Sequence, residues 1–311
     1  MHAWMKAVIV AAMAAAPLHA QPVPPEPTSP ETQVGEIEVR GPRTIDKAIV
    51  ADNIRQLIAR IPVFEVVPRF YHPLCLHVIG PDLVANRIIA ERITDAALTA
   101  GLEKPKPKCR ENALVIITDD PDRLFETLVR RRHWAVGDGG RDVSLRRLRD
   151  EFTSGKPAIS WNRTTMRTGN IDAVMQPGEP PQLVLPRASR IMNSIYRIKA
   201  LSVIVFDGTR IGAATPAQLG DYAAMHLLTT PNRNIAFGDV SARSILSLFA
   251  DGPDLAPEGL TAFDRAYIQG VYAVGRDGWR AKVTRAALSA YEQECADEKP
   301  DCQFLVNEAA E

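Results

Sequence analysis

Three apolar runs, each six residues long and rich in Val, Ile and Leu, constrain the fold more than any other feature of the chain. They are Leu74–Ile79, Ala113–Thr118 and Leu201–Phe206. Runs of this length are typical of buried strands. A helical pattern from Asp82 to Gly101 separates the first two runs, so the sequence predicts a βαβ unit with a right-handed crossover.

The segments around these runs are mostly helical in their periodicity. Asp82 is the expected N-cap of the helix between the first two strands. Its inward face is predicted to consist of Val84, Ile88, Ile89, Ile93, Ala96, Ala97 and Ala100. Ala158–Met166 alternates as an edge strand does. Further helices are predicted at residues 45–61, 121–132, 143–152, 216–227, 261–272 and 281–294. The fold class expected is therefore α+β, a mixed sheet with packed helices in a single main domain, 45–294.

The first twenty residues have the pattern of a cleavable export signal. Lys6 closes a short positive region, and Ala7–Ala16 is an uninterrupted apolar stretch that is too short to span a bilayer. Ala20 supplies the small residue that a signal peptidase needs before Gln21. We therefore expect a signal peptide at 1–20, a Pro-rich linker at 21–44, and a mature protein that is periplasmic or secreted, without a membrane anchor.

Cysteine usage agrees with export, because an even number of cysteines in an oxidising compartment is expected to pair. The four are Cys75, Cys109, Cys295 and Cys302, which allow three connectivities. Cys75 and Cys109 stand at the entries of two predicted strands, and the other two enclose a short loop. The predicted pairs are Cys75 with Cys109 and Cys295 with Cys302, the latter stapling an acidic tail at 295–311. No Cys or His spacing typical of a zinc site is present.

The charge balance argues against a nucleic-acid-binding protein. The chain has 37 basic and 37 acidic residues, whereas nucleic-acid and anionic-membrane binders depend on a basic field. Arg130, Arg131 and Arg132 form a short basic run, but they close a predicted helix, where positive charge complements the macrodipole. The last 21 residues carry one Lys against seven Asp or Glu and are expected to be solvated.

Motifs of known reactions are missing. No Ser lies in a GxSxG turn, and Thr153–Pro157 lacks the flanking residues of a phosphate loop. Asp119 and Asp120, with Asp122, follow a predicted strand at its carboxyl end, where α/β sheets place ligands. An Asp before Pro121 is equally what caps a helix, so both interpretations of these carboxylates stay open.

One stretch resembles the end of metzincin-type zinc peptidases. Ser244–Leu246 is followed by Leu260, Thr261, Phe263, Asp264, Ile268 and Tyr272. In those peptidases a Ser-Ile-Met turn precedes a helix of the form LTxxDxxxIxxLY. The stretch is also similar to a family of uncharacterised secreted alphaproteobacterial proteins that keep this scaffold. The resemblance implies a zincin-like domain over residues 45–294, with the helix from Pro216 in the place of the active-site helix.

The departures from that family decide what the resemblance implies about chemistry. Aligned with HExxHxxGxxH, the helix puts Asp221 and Tyr222 at the first His and the Glu, and Met225 at the second His. Leu228 and Pro231 stand at the Gly and the third His, and Leu246 replaces the Met of the turn. Without paired imidazoles and a carboxylate base, a zinc-activated water is not expected. We therefore expect no metal and no cofactor.

Two functions remain open from the sequence, besides a bare structural or lid role. One is a non-catalytic exported pseudoenzyme that binds another envelope protein or a peptide on a degenerate peptidase scaffold. The other is a hydrolase that uses non-standard carboxylates, for which Asp221, Asp119 and Asp120, with Tyr222, are the candidates. The first predicts that Asp221, Tyr222 and Met225 share a helix face that lines a shallow cleft opposite the turn at residues 244–246.

Overall fold

The structure is a computed structural model. It describes residues 47–59, 66–132, 135–136, 142–168, 195–235, 242–275, 278–296 and 302. All of them belong to one compact unit, Pro42–Glu311. The predicted signal peptide at 1–20, the linker at 21–44 and most of the tail at 295–311 lie outside the described residues.

The described part contains seven α-helices and four strands. In chain order they are α1 (Lys47–Leu57), β1 (Leu76–Ile79), α2 (Leu83–Thr99), β2 (Ala113–Thr118), α3 (Pro121–Arg131), α4 (Asp142–Thr153), β3 (Ala158–Thr168), β4 (Ile195–Asp207), α5 (Pro216–Leu228), α6 (Ala262–Ala273) and α7 (Arg280–Glu294). A short 3-10 turn, Ile245–Ser247, lies between α5 and α6. The order of helices and strands follows the sequence prediction, so the α+β class and the single main domain are confirmed.

The four strands form one mixed sheet in the order β1-β2-β4-β3. β1, β2 and β4 are parallel, and β3 runs antiparallel to β4 at the edge. A parallel pair needs a crossover, and α2 supplies it between β1 and β2. The predicted βαβ unit and the predicted edge strand are both present.

Helices cover the two faces of the sheet unequally. On one face, Val115, Ile204 and Phe206 pack in a large core with α1, α2, α5, α6 and α7. On the other face, Ile116, Val203 and Val205 pack in a smaller cluster of described residues with α3, α4 and the segment around Ala135. Side chains of successive strand residues point to opposite faces, so consecutive residues of β4 pack alternately into the two cores.

The predicted inward face of α2 is wrong at its first turn. Val84 is 66% exposed, whereas Ile89, Ile93, Ala96 and Ala97 are buried as expected. Asp82 caps the helix, accepting from Val84 N at 2.8 Å and Ala85 N at 3.2 Å. The cap fixes the start of the helix immediately after β1, and this first turn therefore lies beyond the part of α2 that packs on the core.

Both predicted disulfides are confirmed. The Cα atoms of Cys75 and Cys109 are 5.9 Å apart, and those of Cys295 and Cys302 are 5.6 Å apart. Both distances fall in the range that disulfide geometry requires. Among the described residues, no helix combines the length and the apolar character needed to cross a membrane.

Candidate functional site

Helix α5 lies at the centre of the candidate site, and its two ends are fixed by specific contacts. At the start, Thr215 and Gln218 form a capping box, with Gln218 N donating to Thr215 Oγ1 at 3.2 Å. At the end, the buried Lys199 on β4 donates from Nζ to Leu227 O at 2.7 Å and to Thr229 O. Burial lowers the pKa of Lys199 well below 10.5. These contacts hold the helix rigidly against the sheet.

Asp221 is 1% exposed and fully engaged in a network that joins three segments. Arg92 of α2 binds both carboxylate oxygens, with Nε at 2.9 Å from Oδ1. Leu260 N donates to Oδ2 at 2.8 Å. A Cβ on Gly259 would lie 2.5 Å from Asp221 Oδ2, so glycine is required for this approach. The carboxylate therefore forms a structural ion pair, and both of its oxygens already accept hydrogen bonds within the protein.

A polar pocket of about 190 Å³ lies beside this ion pair, between α2, α5 and α6. Its charged walls are Arg92, Asp95, Asp221 and Arg265. Arg265 is itself held by Glu294 Oε1 at 2.5 Å and by Leu260 O at 2.5 Å. The cations of the pocket thus already have anionic or carbonyl partners.

The expectation that Asp221, Tyr222 and Met225 line a shallow cleft is wrong, and the position of Met225 shows why. Met225 is fully buried in the main core, so Asp221, Tyr222 and Met225 do not share an exposed face. Successive residues are about 100° apart around a helix, and the core takes Met225. Tyr222 and His226, four residues apart, lie together instead, with ring centroids 4.6 Å apart. The partly accessible face of α5 therefore includes His226 and not Met225, one residue away from the face that the alignment predicted.

His226 is held in a partly buried polar contact with the edge strand. Its Nδ1 lies 2.8 Å from Ser160 Oγ on β3. Burial, with Arg233 and Lys199 nearby, lowers the pKa of His226 to about 3. The ring is therefore neutral at physiological pH. Nε2 is buried, and no described residue bonds it.

An aromatic cluster extends this face of α5. The ring of Tyr222 lies 5.0 Å from that of Phe249, edge-on, and 6.1 Å from that of Phe206. Phe206 is fully buried, whereas Tyr222, His226 and Phe249 keep part of their surface exposed. Edge-to-face packing of this kind is favourable beyond simple burial. Three partly exposed rings therefore stand together beside β3.

The outer edge of β3 runs beside this cluster. Asp207 N donates to Pro157 O at 3.0 Å, and Ala158 pairs with Phe206. Because alternate residues bond across an antiparallel ladder, the backbone groups of Ala158, Ser160 and Asn162 point away from β4. Within the described residues no strand pairs with this edge. Arg233 donates from Nη2 to the outward carbonyl of Ser160 at 2.5 Å and binds Glu151.

The turn that carries the peptidase resemblance is built around Asp264. This buried carboxylate accepts from Ser244 Oγ at 2.5 Å, Ile245 N at 2.8 Å and Thr261 N at 3.1 Å. Burial raises its pKa to about 6 even though these donors favour the ionised form. Leu246, at the position of the family's Met, is buried in the main core. Asp264 thus ties the turn to the start of α6.

Asp119 and Asp120 follow the carboxyl end of β2 and make local structural contacts there. Asp120 caps α3, accepting from Arg123 N at 3.0 Å. Asp119 packs on Gly208, where a Cβ would lie 2.3 Å from Asp119 Oδ1. No described contact joins either carboxylate to Asp221 or Tyr222. Among the described residues, no three His, Cys, Asp or Glu side chains are placed to hold a metal ion.

Sequence reasoning missed Arg92, Ser160, Lys199 and Arg233, which hold the site together. The signal for Lys199 is its place next to an apolar run, since a buried lysine needs acceptors. Arg92 and Ser160 carry no comparable local signal, because their partners are distant in sequence. Comparisons with known proteins add no further guide: no family model, no curated protein and no solved structure matches the chain.

Proposed function

We propose that this chain is an exported, non-catalytic protein that binds an extended peptide segment along the outer edge of β3. The observation that carries the proposal is the outward backbone of Ala158, Ser160 and Asn162 beside the partly exposed rings of Tyr222, His226 and Phe249. Of these backbone groups, the Ser160 carbonyl accepts from Arg233, which a peptide would have to displace or leave in place. Peptides add to sheet edges through main-chain hydrogen bonds, and side-chain pockets give specificity. An apolar side chain of the peptide, on the α5 side, would pack against the aromatic cluster.

The scaffold we propose is zincin-like and has lost its metal. This idea rests on the order of elements, with α5 after β4 and the Asp264-bound turn before α6, and on the resemblance of residues 244–272 to metzincins. At the expected ligand positions stand Asp221, bound to Arg92, and the buried Met225. Two disulfides support placement in the periplasm or the medium, because such bonds form in oxidising compartments.

Peptide selection tests the binding proposal. A displayed library of random peptides selected on the mature protein should yield binders rich in large apolar residues, measurable by fluorescence polarisation. Ser160→Pro removes the outward N–H, together with the hydroxyl that contacts His226, and leaves the ladder to β4 intact, so it should weaken binding at least about tenfold. Ser160→Ala, the matched control, keeps the backbone donor and should bind within about threefold of the wild type. Equal binding by both variants would refute the edge as the site.

Metal content tests the loss of catalysis separately. Protein purified without added metal should contain far less than one zinc ion per chain and should leave casein uncleaved. Stoichiometric zinc that is lost on Asp221→Ala would refute the non-catalytic function and revive the peptidase. Peptide binding and zinc content are independent measurements, so the binding site and the loss of catalysis can each be refuted without the other.

A hydrolase is the second candidate, and the 2.8 Å contact between Ser160 Oγ and His226 Nδ1 is what favours it. A hydroxyl beside an imidazole is the beginning of a nucleophile and base pair. The lowered pKa of His226 makes the imidazole a weak base, and no described carboxylate orients it. A fluorophosphonate probe should therefore leave Ser160 unlabelled; labelling that His226→Ala abolishes would favour the hydrolase.

A further inference from the structure

The layer formed by α3 and α4 concentrates positive charge on one side of a chain that is neutral overall. Exposed arginines on the two helices and the residue after α3 are Arg123, Arg130, Arg131, Arg132, Arg146, Arg147 and Arg149. The carboxylates described there are Asp122, Glu126, Asp150 and Glu151. Local field, not net charge, decides where an anionic surface is attracted.

Ion pairs neutralise only part of this charge. Arg149 pairs with Glu126 at 3.6 Å, linking α3 to α4, and Arg147 pairs with Glu151 at 3.9 Å. Glu151 is also bound by Arg233. Among the described residues no carboxylate lies within ion-pair distance of Arg123, Arg130, Arg131 or Arg146. These four guanidinium groups therefore keep their full charge toward solvent.

A groove of about 440 Å³, lined by three apolar side chains and two arginines, lies between the same two helices. Phe125, Val129 and Leu145 line its floor, and Arg146 and Arg149 stand at its rim. The Arg149 guanidinium lies 5.8 Å from the centre of the Phe125 ring. Arginine at such a rim presents a planar donor that suits phosphate, while the floor suits hydrocarbon.

We propose that this face, formed by α3 and α4, contacts the surface of an anionic lipid leaflet. Lipid phosphates bind the four arginines that have no carboxylate partner among the described residues, and the apolar part of the groove receives the hydrocarbon nearest the headgroup. The combination of cations with an apolar floor favours lipid over nucleic acid, whose backbone offers phosphate alone. This is a peripheral contact that needs no anchor, and it lies on the sheet face covered by α3 and α4. Arg233, which binds both Glu151 of α4 and the Ser160 carbonyl, separates it from the β3 edge.

Vesicle co-sedimentation of the mature protein tests the proposal. The probes are vesicles of equal parts phosphatidylglycerol and phosphatidylcholine, and vesicles of phosphatidylcholine alone. We expect binding to the anionic vesicles only, weakening as salt rises from 50 to about 300 mM. Each arginine near an anionic surface contributes roughly a fivefold change in partitioning, so Arg130→Glu with Arg146→Glu should weaken binding at least about 25-fold.

The matched control makes the same charge change in another exposed basic segment, Lys104→Glu with Lys106→Glu, before β2. It should bind within about threefold of the wild type, and circular dichroism should show both variants folded. Equal loss in the control would reduce the effect to net charge and overturn the proposal. So would equal wild-type binding to both vesicle types. Binding to sodium polyphosphate without binding to anionic vesicles would overturn it in favour of a soluble polyanion.

Discussion

At the scale of single residues, the ion pair between Asp221 and Arg92 explains why the first candidate carboxylate is not free for chemistry. Removing one partner of a buried charge pair leaves the other uncompensated. Here Asp221 is buried, but the Arg92 side chain is 43% exposed, so water relieves part of the loss.

We therefore expect Asp221→Ala to lower the free energy of unfolding by about 2–3 kcal/mol, including the lost acceptor for Leu260 N. Urea denaturation followed by circular dichroism measures the change. Asp95→Ala, an exposed carboxylate in the same pocket, should change stability by less than about 0.5 kcal/mol. Similar effects of the two substitutions would contradict the structural role given to Asp221.

His226 makes the protein sensitive to acid. Its pKa is lowered in the folded state, so between pH 6.5 and about 3 the unfolded chain binds the proton first. Stability that is present above pH 6.5 is thus lost as the pH falls through this window, by up to roughly 5 kcal/mol. His226→Gln should flatten the fall in stability with acid, whereas His77→Gln, at an exposed position, should leave it unchanged. An unaltered acid profile in His226→Gln would show that folding does not lower the pKa of His226.

The sequence identified the right helix but the wrong register of its accessible face. The alignment to a peptidase motif predicts a face with Asp221, Tyr222 and Met225, whereas the accessible face includes His226, one residue and about 100° around the helix from Met225. Which face of α5 meets the core depends on β4 and α2, which are distant in sequence. The helix sequence PAQLGDYAAMHLL is apolar at most positions, so its periodicity alone does not predict which face packs on the core.

At the scale of elements, the end of α5 depends on a lysine in a strand. Lys199 Nζ satisfies the carbonyl groups of Leu227 and Thr229, which a helix end would otherwise leave without donors. Replacing Lys199 with Met should therefore leave two buried carbonyl groups without hydrogen-bond donors and destabilise the fold.

We expect Lys199→Met to destabilise the fold by about 1–3 kcal/mol at pH 7. The pKa of Lys199 is lowered in the folded state, so the unfolded chain binds more protons and wild-type stability rises with pH toward 10.5. The gap between wild type and variant should therefore widen between pH 7 and 10, as thermal or urea unfolding can show. A gap that stays constant over that range would mean that the folded state holds the ammonium form.

Elements with a clear apolar run were predictable to within a residue or two, and those with mixed composition were not. Ala113–Thr118 matches β2 fully, because both its faces are covered and the run is continuous. β4 begins six residues before the predicted Leu201, since Tyr196, Arg197 and Lys199 interrupt the apolar pattern while β3 still pairs with them. Pairing between strands, not composition, sets that boundary.

At the scale of the whole molecule, the two disulfides close loops of very different length. Cys75 and Cys109 are separated by 34 positions, and Cys295 and Cys302 by 7. In the loop-entropy model the longer loop stabilises the fold by roughly 4 kcal/mol and the shorter by about 2.5 kcal/mol.

Replacing both members of the first pair by Ser should thus cost more stability than replacing both members of the second. Guanidinium denaturation of the two double variants, compared with the wild type, measures the difference. The opposite ranking would mean that strain or residual structure outweighs loop entropy at the first bridge.

The export prediction also belongs to the intact molecule. Mass spectrometry of material from the periplasm or medium should find a chain that begins at Gln21, because Ala20 supplies the cleavage position. Recovery of the protein only from the cytoplasm with Met1 or Lys6 retained would contradict it. The charge balance, cysteine pairing and element order were all readable from sequence, whereas the peptide edge depends on contacts that only folding creates.

The bridge between Cys75 and Cys109 also makes a covalent ring that contains β1, α2 and the loop before β2. A protease in the envelope that cuts once inside residues 76–108 opens the ring without releasing a fragment. Arg92 lies within that span, so its grip on Asp221 would hold the severed helix in place. Such a nick would be invisible on a non-reducing gel and would appear as two pieces only after reduction. Damage to this protein can therefore accumulate undetected while the proposed binding edge, β3 at the other end of the sheet order, stays whole.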